Sequence, residues 1–585
     1  MRFRASRPLL AVAWLATGCA PEAGGGLPAD AVYVNGHVVT VDPEFSIAEA
    51  FAVHEGRFVA VGSVSEVRSR VARDAPEIDL EGRTVVPGFN DNHIHLGPDR
   101  GVQPWRSGMV PAVSPWTRGA ANIEELLSAL AERAAETPRG EWILGGLNRP
   151  DWPNAAVPTR WQLDEAAPEH PVMLTRGPHT YLLNSRALEL AGIGPDTPDP
   201  EGGWIFRDES DRPNGRVLEA ARRLVDRVLP PEAEPVGYEE GVENMRRMLR
   251  DLAGLGITSV NVAGVRPADL RQVQDLYARY GAELPRATIQ IRLRPGHDAF
   301  DDMDLGVRTS IAELESLGFV TGFGDDRLKL GALKMSIDGG LSAPVFWSID
   351  EYPGRPGFHG AVRIPAEVFR PVAARAHELG WQLGIHTIGD AAVRMVVDEL
   401  ARILDDNPRD DHRHYLHHVS VKPPAGTIAA MADYGIMVAS QPSFTVGLGA
   451  YADEALDDER EATQNPTRSL LDAGVRVSHG SDSAPYGPLI TVWTAVTRRG
   501  HDGEVYGPEE AVTVEEALRL HTVEPAYFTF DEGVKGSIAP GQLADFVVLS
   551  EDILSVTPER IRDIAVERVF IGGREVHKLE NRSDS

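Results

Sequence analysis

Five apolar segments of this chain end on a histidine, a lysine or an aspartate, and their order and spacing constrain the fold more than any other feature. The first is Val85-Val86-Pro87-Gly88-Phe89-Asn90-Asp91-Asn92-His93-Ile94-His95. Side chains alternate along a strand with period two, so His93 and His95 share a face and can close on one metal ion. The second is Leu328-Lys329-Leu330-Gly331-Ala332-Leu333-Lys334, followed by Asp338-Gly339-Gly340. The others are Trp381-Gln382-Leu383-Gly384-Ile385-His386, Tyr415-Leu416-His417-His418 and Gly474-Val475-Arg476-Val477-Ser478-His479-Gly480-Ser481-Asp482. From Lys334 to Asp482 the candidates lie 52, 32 and 64 residues apart, and the longest gap holds one more strand at 435–440. About 30 to 50 residues per strand is what repeated strand–helix units require. The pattern predicts an α/β chain built on a (β/α)8 TIM barrel, whose active sites collect at the C-terminal strand ends.

The two ends of the chain read differently. Val32, Val34 and Val38-Val39-Thr40-Val41 alternate as short strands around Asn35-Gly36, a hairpin turn signal, and a second hairpin runs from Ala50 to Val61 through Glu55-Gly56. Residues 545–549 and 569–576, with Gly572-Gly573 as a turn, look like matching strands. The expected organisation is a β-sandwich domain formed from both termini, 29–85 and 535–580, around a barrel at 86–534. The 239 residues from His95 to Lys334 exceed what the intervening barrel units need, so an insertion is expected at about 101–227. Its tryptophans, Trp142, Trp152, Trp161 and Trp204, either line a substrate pocket or pack the insertion's own small core.

At 585 residues the chain is too long for one ordinary compact core, and 42% hydrophobic with 25% charged residues is a globular composition. A net charge of −29 repels phosphate backbones and argues against nucleic acid as a partner. The N-terminus carries an export signal: Arg2, Arg4 and Arg7 precede Leu9-Leu10-Ala11-Val12-Ala13-Trp14-Leu15-Ala16, too short to span a bilayer. Leu15-Ala16-Thr17-Gly18-Cys19 resembles a bacterial lipobox. The expectation is a signal peptide over 1–18, lipid on Cys19, a tether at 19–28, and a periplasmic or cell-envelope lipoprotein held to the membrane. Cys19 is the only cysteine, which excludes internal disulfides and thiolate-rich metal clusters.

The order His-x-His, Lys, His, His, Asp resembles the amidohydrolase superfamily of metal-dependent hydrolases. Further stretches resemble its family 3 branch, which includes N-substituted formamide deformylases. They are Lys-Met-Ser-Ile-Asp-Gly at 334–339, His-Thr-Ile-Gly-Asp at 386–390 and Gly-Ser-Asp-Ser-Ala-Pro at 480–485. His179 with Asn184-Ser185, residues 213–219 and Gly-Ser-Ile-Ala-Pro-Gly-Gln-Leu-Ala-Asp-Phe-Val-Val-Leu at 536–549 match too, so the resemblance spans about 31–576. One departure is His417-His418, where the branch usually carries Glu-His.

The resemblance implies a barrel with a sandwich from both termini, and one or two divalent ions, zinc being the first expectation. Such an ion lowers the pKa of bound water toward about 7 and polarises a carbonyl. His93 and His95 with Asp482 would hold one ion, and His386 with His418 a second. Relatives carry a CO2-derived carbamate on the lysine at the position of Lys334, bridging both ions; Lys329 does not match. Asp482 would also shuttle the proton from water to the leaving amine. His179 is a candidate substrate-binding residue.

Other histidines take lesser roles in this reading. His417 is placed on the opposite strand face from His418, for packing or support; His479 orients the turn to Asp482; His412 and His414 are satisfied within the strand. Gly480-Ser481-Asp482-Ser483 is not a Gly-x-Ser-x-Gly elbow, which argues against a serine hydrolase. The sequence therefore predicts an exported hydrolase of an amide-type C–N bond in a small molecule. The alternatives are an ester, lactone or cyclic-amide hydrolase on the same site, or a silent lipid-anchored binding protein. A carbohydrate-active barrel would need paired catalytic carboxylates.

Overall fold

The computed structural model describes residues 26–580 apart from 106–107, 113, 148–156, 178, 201–202, 232–235, 296–301, 342–344, 449–455 and 484. Cys19, the export segment, most of the tether and Trp152 lie outside the described residues. Eight parallel strands form the barrel: β1 Phe89–Ile94, β2 Ile257–Val265, β3 Arg286–Arg292, β4 Leu328–Ser336, β5 Leu383–Thr387, β6 Tyr415–His418, β7 Met437–Ser440 and β8 Val477–His479. Ladders join them in sequence order, and a parallel bridge from Ile94 to Asp482 brings β1 beside the end of β8. Helices follow the strands, such as Ala366–Glu378 after β4 and Asp390–Asp406 after β5, and their apolar faces pack against the barrel. Burial on both faces explains why these strands read as continuous apolar runs.

Barrel closure needs a close approach at Gly480. A Cβ there would lie 2.5 Å from the His93 amide nitrogen and 3.0 Å from an Asp91 carboxylate oxygen, so only glycine fits.

Two further sheets form the sandwich, and both termini contribute. One is ordered Arg57–Gly62, Ala50–His54, Ala31–Val34, Glu77–Asp79; the other is Arg574–Lys578, Val566–Ile571, Phe546–Leu549, Thr84–Pro87, His37–Val39, Ile47–Ala48. Tyr33, Phe51, Phe58, Phe546 and Phe570 pack between them, with Phe546 stacked on Phe570 at 4.3 Å. The Glu55-Gly56 and Gly572-Gly573 turns join antiparallel neighbours, and all four residues take positive φ, as tight hairpins demand. Asn35-Gly36 does not make the expected hairpin. Ala31–Val34 pairs with Ala50–His54 and Glu77–Asp79, whereas His37–Val39 pairs with Thr84–Pro87 in the other sheet. Asn35 at φ 56 moves the chain between layers.

Between β1 and β2 the chain forms a hairpin of Val102–Trp105 and Gly108–Pro111, then a five-stranded sheet. That sheet is ordered Ile143–Gly146, Val172–Arg176, Thr180–Leu183, Pro213–Glu219, Gly203–Arg207, with small apolar cores of its own. Trp142 packs into one such core, and Trp161 lies beneath the Arg160 and Arg212 guanidiniums. Trp204 instead stacks on Phe206 and packs at a tilt against Phe358, tying the insertion to the loop after β4. Among the described residues no helix is long and apolar enough to cross a membrane.

Candidate metal centre

The C-terminal ends of β1, β5 and β6 bring four imidazoles into an arc. Ring centroids run 5.1 Å from His95 to His93, 4.8 Å from His93 to His418, and 4.5 Å from His418 to His386. Asp482 completes one end: it, His93 and His95 each offer a ligand atom, all within 4.8 Å of one another. The Asp482 carboxylate lies 3.2 Å from His95 Nε2. Burial would raise its pKa, but the interaction with His95, first its charge and then its hydrogen bond, outweighs burial and holds it well below the usual carboxylate range. Lys334, two residues before the end of β4, is fully buried; burial and then the Arg292 charge depress its pKa far below that of a free amine. That favours the neutral amine over an ammonium that would repel a cation.

In two of the rings a hydrogen bond fixes which nitrogen keeps the lone pair. The His418 Nδ1–H donates to Gln441 Oε1 at 2.5 Å, while Gln441 Nε2 donates to the Ala439 carbonyl and so fixes the amide orientation. Nε2 of His418 therefore carries the lone pair. His386 Nε2 donates to the Gly339 carbonyl at 3.2 Å, leaving Nδ1. Both ring nitrogens of His93 are buried with no partner among the described residues. Burial pushes the pKa of His93 and His386 well down and that of His418 to about 3, so all three are neutral donors. Orphaned buried nitrogens, neutral imidazoles and one ionised carboxylate are a donor set that fits a zinc-type divalent ion.

His417 departs from the expected opposite face. Its ring lies 4.3 Å from His93, as close as the ring of His418. The reason is local: His418 has φ 76 and Val419 φ 54, so the chain leaves the extended conformation and the alternation fails there. His417 Nε2–H donates to Gln290 Oε1, Gln290 Nε2 to Asn261 Oδ1, Asn261 Nδ2 to Asn92 Oδ1, and Asn92 Nδ2 to Ser478 Oγ. This directed belt crosses the barrel interior from β6 through β3, β2 and β1 to β8. Nor does His479 orient the Asp482 turn, because neither ring nitrogen has a partner among the described residues and the ring packs edge-on against His521. Asp91 does so, accepting from the Ser481 amide at 2.9 Å, the Ser481 hydroxyl and the His93 amide. His412 and His414 are satisfied at the strand's entry, beside His377.

His179 sits at the inner edge of the insertion. Its Nδ1 lies 2.6 Å from Glu219 Oε1, and Arg363 donates to the other Glu219 oxygen. Its Nε2 faces Gly340, where a Cβ would stand only 2.3 Å away. Burial opposes a charge on Glu219, yet Arg363 and His179 hold its pKa at about 2, so the imidazole is oriented by a fixed carboxylate. Asp338 accepts from the amides of Trp347, Ile388 and Gly389, anchoring the loop that follows His386. Asp91, Asn92, Gln290, Glu219, Asp338 and Gln441 were not assigned roles in the sequence reading. Asp91, Asn92 and Asp338 stand within or beside the ligand motifs and Glu219 ends the 213–219 stretch, whereas nothing in the sequence marked Gln290 or Gln441.

The Amidohydrolase family model matches residues 76–577. The chain belongs to the amidohydrolase family. It is therefore a metal-dependent hydrolase of that family. It is 32% identical over 550 residues to N-substituted formamide deformylase of Arthrobacter pascens, covering 93% of this chain and 97% of that one. It is 28% identical to the protein LONG AFTER FAR-RED 3 of Arabidopsis thaliana, covering 94% and 92%. An uncharacterised metal-dependent hydrolase of Pyrococcus horikoshii shares the fold, with TM-score 0.64, 22% identity and coverage of 90% and 99%.

Proposed function

We propose that this amidohydrolase cleaves the amide-type C–N bond of a small molecule, N-substituted formamides being the first class to test. The relative from Arthrobacter pascens supports that class. The observation that carries the reading is the ionised, partly buried Asp482 carboxylate set within ligand distance of His93 and His95. His93, His95 and Asp482 would hold one divalent ion, and His386 through Nδ1 with His418 through Nε2 a second. Lys334, neutral in this pocket, could add CO2 with loss of a proton and, as the resulting carbamate, would supply further anionic oxygen to hold them. Such ions, when bound, polarise the substrate carbonyl and acidify water.

The chain's own residues supply the remaining steps. Asp482 takes the proton of the attacking water and passes it to the leaving nitrogen as the C–N bond breaks. His179, held by Glu219 and Arg363, presents Nε2 to the substrate and orients its carbonyl. Trp204 and Phe358 exclude water at the insertion's edge.

The test pairs metal analysis of the purified protein with a panel of formamides, amides, esters and lactones. Amide turnover that disappears on chelation and returns with a divalent ion is expected. Faster turnover of esters or lactones, or turnover indifferent to chelation in metal-free protein, would overturn the reading. We also propose export and lipid anchoring at Cys19, on the strength of the three arginines, the short apolar segment and the lipobox pattern.

A further inference from the structure

Arg292 stands out among the charged side chains around this site. It ends β3 and lies in register with Lys334 on β4, so it belongs to the C-terminal rim. Its guanidinium lies across Gly264 of β2, where a Cβ would come within 2.6 Å of Nε and 2.9 Å of Nη2. Glycine at that position leaves the cradle the side chain occupies. Nε is fully buried and has no hydrogen-bond partner among the described residues, and no described carboxylate forms a salt bridge with Arg292. Asp482 acts on it as an opposite charge, while its own ion pair is with His95.

Arginine remains charged in proteins, so a partly buried guanidinium without a carboxylate partner carries a desolvation penalty that an anionic ligand at its exposed edge would relieve. The surroundings sharpen this. Arg100, Arg294 and Arg363 all act on Arg292 as like charges, and among the described residues only Arg363 has a carboxylate partner, Glu219. A chain of net charge −29 has thus gathered cations at the mouth of its catalytic barrel. Focused positive potential in a cleft draws in anions. A planar fork of N–H donors matches a carboxylate in bidentate fashion better than it matches any neutral amide.

We propose that Arg292 docks a carboxylate of the substrate, so that the molecule hydrolysed here is an anionic amide of the N-acyl amino acid type, with its carboxylate a few atoms from the scissile carbonyl. This rests on the hydrolase reading above and adds the charge of the substrate. Arg292 acts as a specificity residue: it fixes the end of the substrate that does not react, and the carbonyl is thereby placed over Asp482 and His179.

The test compares N-formylphenylalanine with its neutral counterpart N-formylphenylalaninamide, which differ only in the charged group. The kcat/KM ratio should favour the acid in the wild type. In Arg292→Met that ratio should fall by about 10- to 100-fold, the worth of a charge-assisted hydrogen bond. Arg292→Lys, which keeps charge but loses the fork, should fall between. Circular dichroism of each variant guards against misfolding, and an internal ratio is insensitive to a general loss of active protein. Equal turnover of the two compounds by the wild type, or a ratio unchanged in Arg292→Met, would overturn the proposal. If neither compound is hydrolysed, that counts against the hydrolase reading for this class, and calorimetric titration decides the carboxylate site separately. Binding of the acid over the amide, weakened in Arg292→Met, supports the site; no binding, or binding indifferent to the substitution, refutes it.

Discussion

The Asp482 amide donates to the His93 carbonyl at 2.7 Å, joining the first barrel strand to the turn after the last. The same contact sets the Asp482 carboxylate against the imidazoles of His93 and His95. Closure of the barrel and assembly of the centre are one event, and Asp482 at φ 57 takes a backbone conformation uncommon for aspartate to achieve it.

Asp482→Asn should lower kcat by about 10²- to 10⁴-fold, the range for loss of a positioned acid–base group. The amide fills the same space but cannot accept a proton near neutral pH. Steady-state kinetics with metal content measured on the same sample provide the check. Near-normal turnover at full metal content would move the base elsewhere, with His179 next in line.

Glu219→Gln should reduce kcat/KM about 10-fold or more, because His179 loses its charged anchor and Arg363 its counter-ion. The effect should appear with the barrel intact by circular dichroism. Wild-type kinetics in this variant would show that His179 needs no such orientation.

Phe546→Ala should destabilise the protein by about 3–5 kcal/mol, since Phe546 is fully buried against Tyr33, Phe51 and Phe570. These rings come from both ends of the chain, so truncation after Gly536 should likewise give an unstable or insoluble product. Urea denaturation and expression of the truncated chain are the measurements. A stable, active truncation would show that the barrel stands without the sandwich.

Stability should fall as the pH drops below the ordinary histidine range, and His377, His412 and His414 contribute to that slope. Leu383 N–H donates to His414 Nδ1, so His414 Nε2–H donates to His377 Nδ1, and His377 Nε2–H donates to the Asn407 carbonyl. Every nitrogen in that relay is used by the neutral forms. Burial lowers the pKa of all three in the folded protein, so the unfolded chain binds protons that the folded one does not. The penalty is absent above the unfolded pKa of 6.5 and grows as pH falls below it, by roughly 1.4 kcal/mol per pH unit for each histidine held neutral. His414→Asn should flatten the dependence of the urea midpoint between pH 6.5 and 5.5 by about one such increment. An unaltered slope would place the acid sensitivity elsewhere.

Cys19→Ala should block processing of the N-terminus or release the protein into the soluble fraction, leaving the barrel chemistry unchanged. Mass spectrometry of the wild-type N-terminus from native cells should find a lipidated Cys19 as the first residue. An unmodified cysteine or an intact Met1 would refute the anchor.

Sequence alone determined the barrel and the sandwich, because both are written in local patterns. Apolar runs at repeated spacing state where strands recur, and the Glu55-Gly56 and Gly572-Gly573 turns carry the positive φ that a hairpin requires. The six candidates His93, His95, Lys334, His386, His418 and Asp482 could be named for the same reason, each standing near the end of such a run. Tertiary structure decided what each polar group faces. His417 turned toward His93 because the backbone leaves the strand at His418, which period-two counting does not register. Asn35-Gly36 connects two sheets, and only their packing distinguishes that from a hairpin. Asp91 holding Ser481, Glu219 holding His179, and Arg292 left without a carboxylate all depend on segments 40 to 390 residues apart meeting at one rim. Hydrogen bonds and charges act over a few ångströms, so their partners are set by the closed barrel and not by neighbours in the chain.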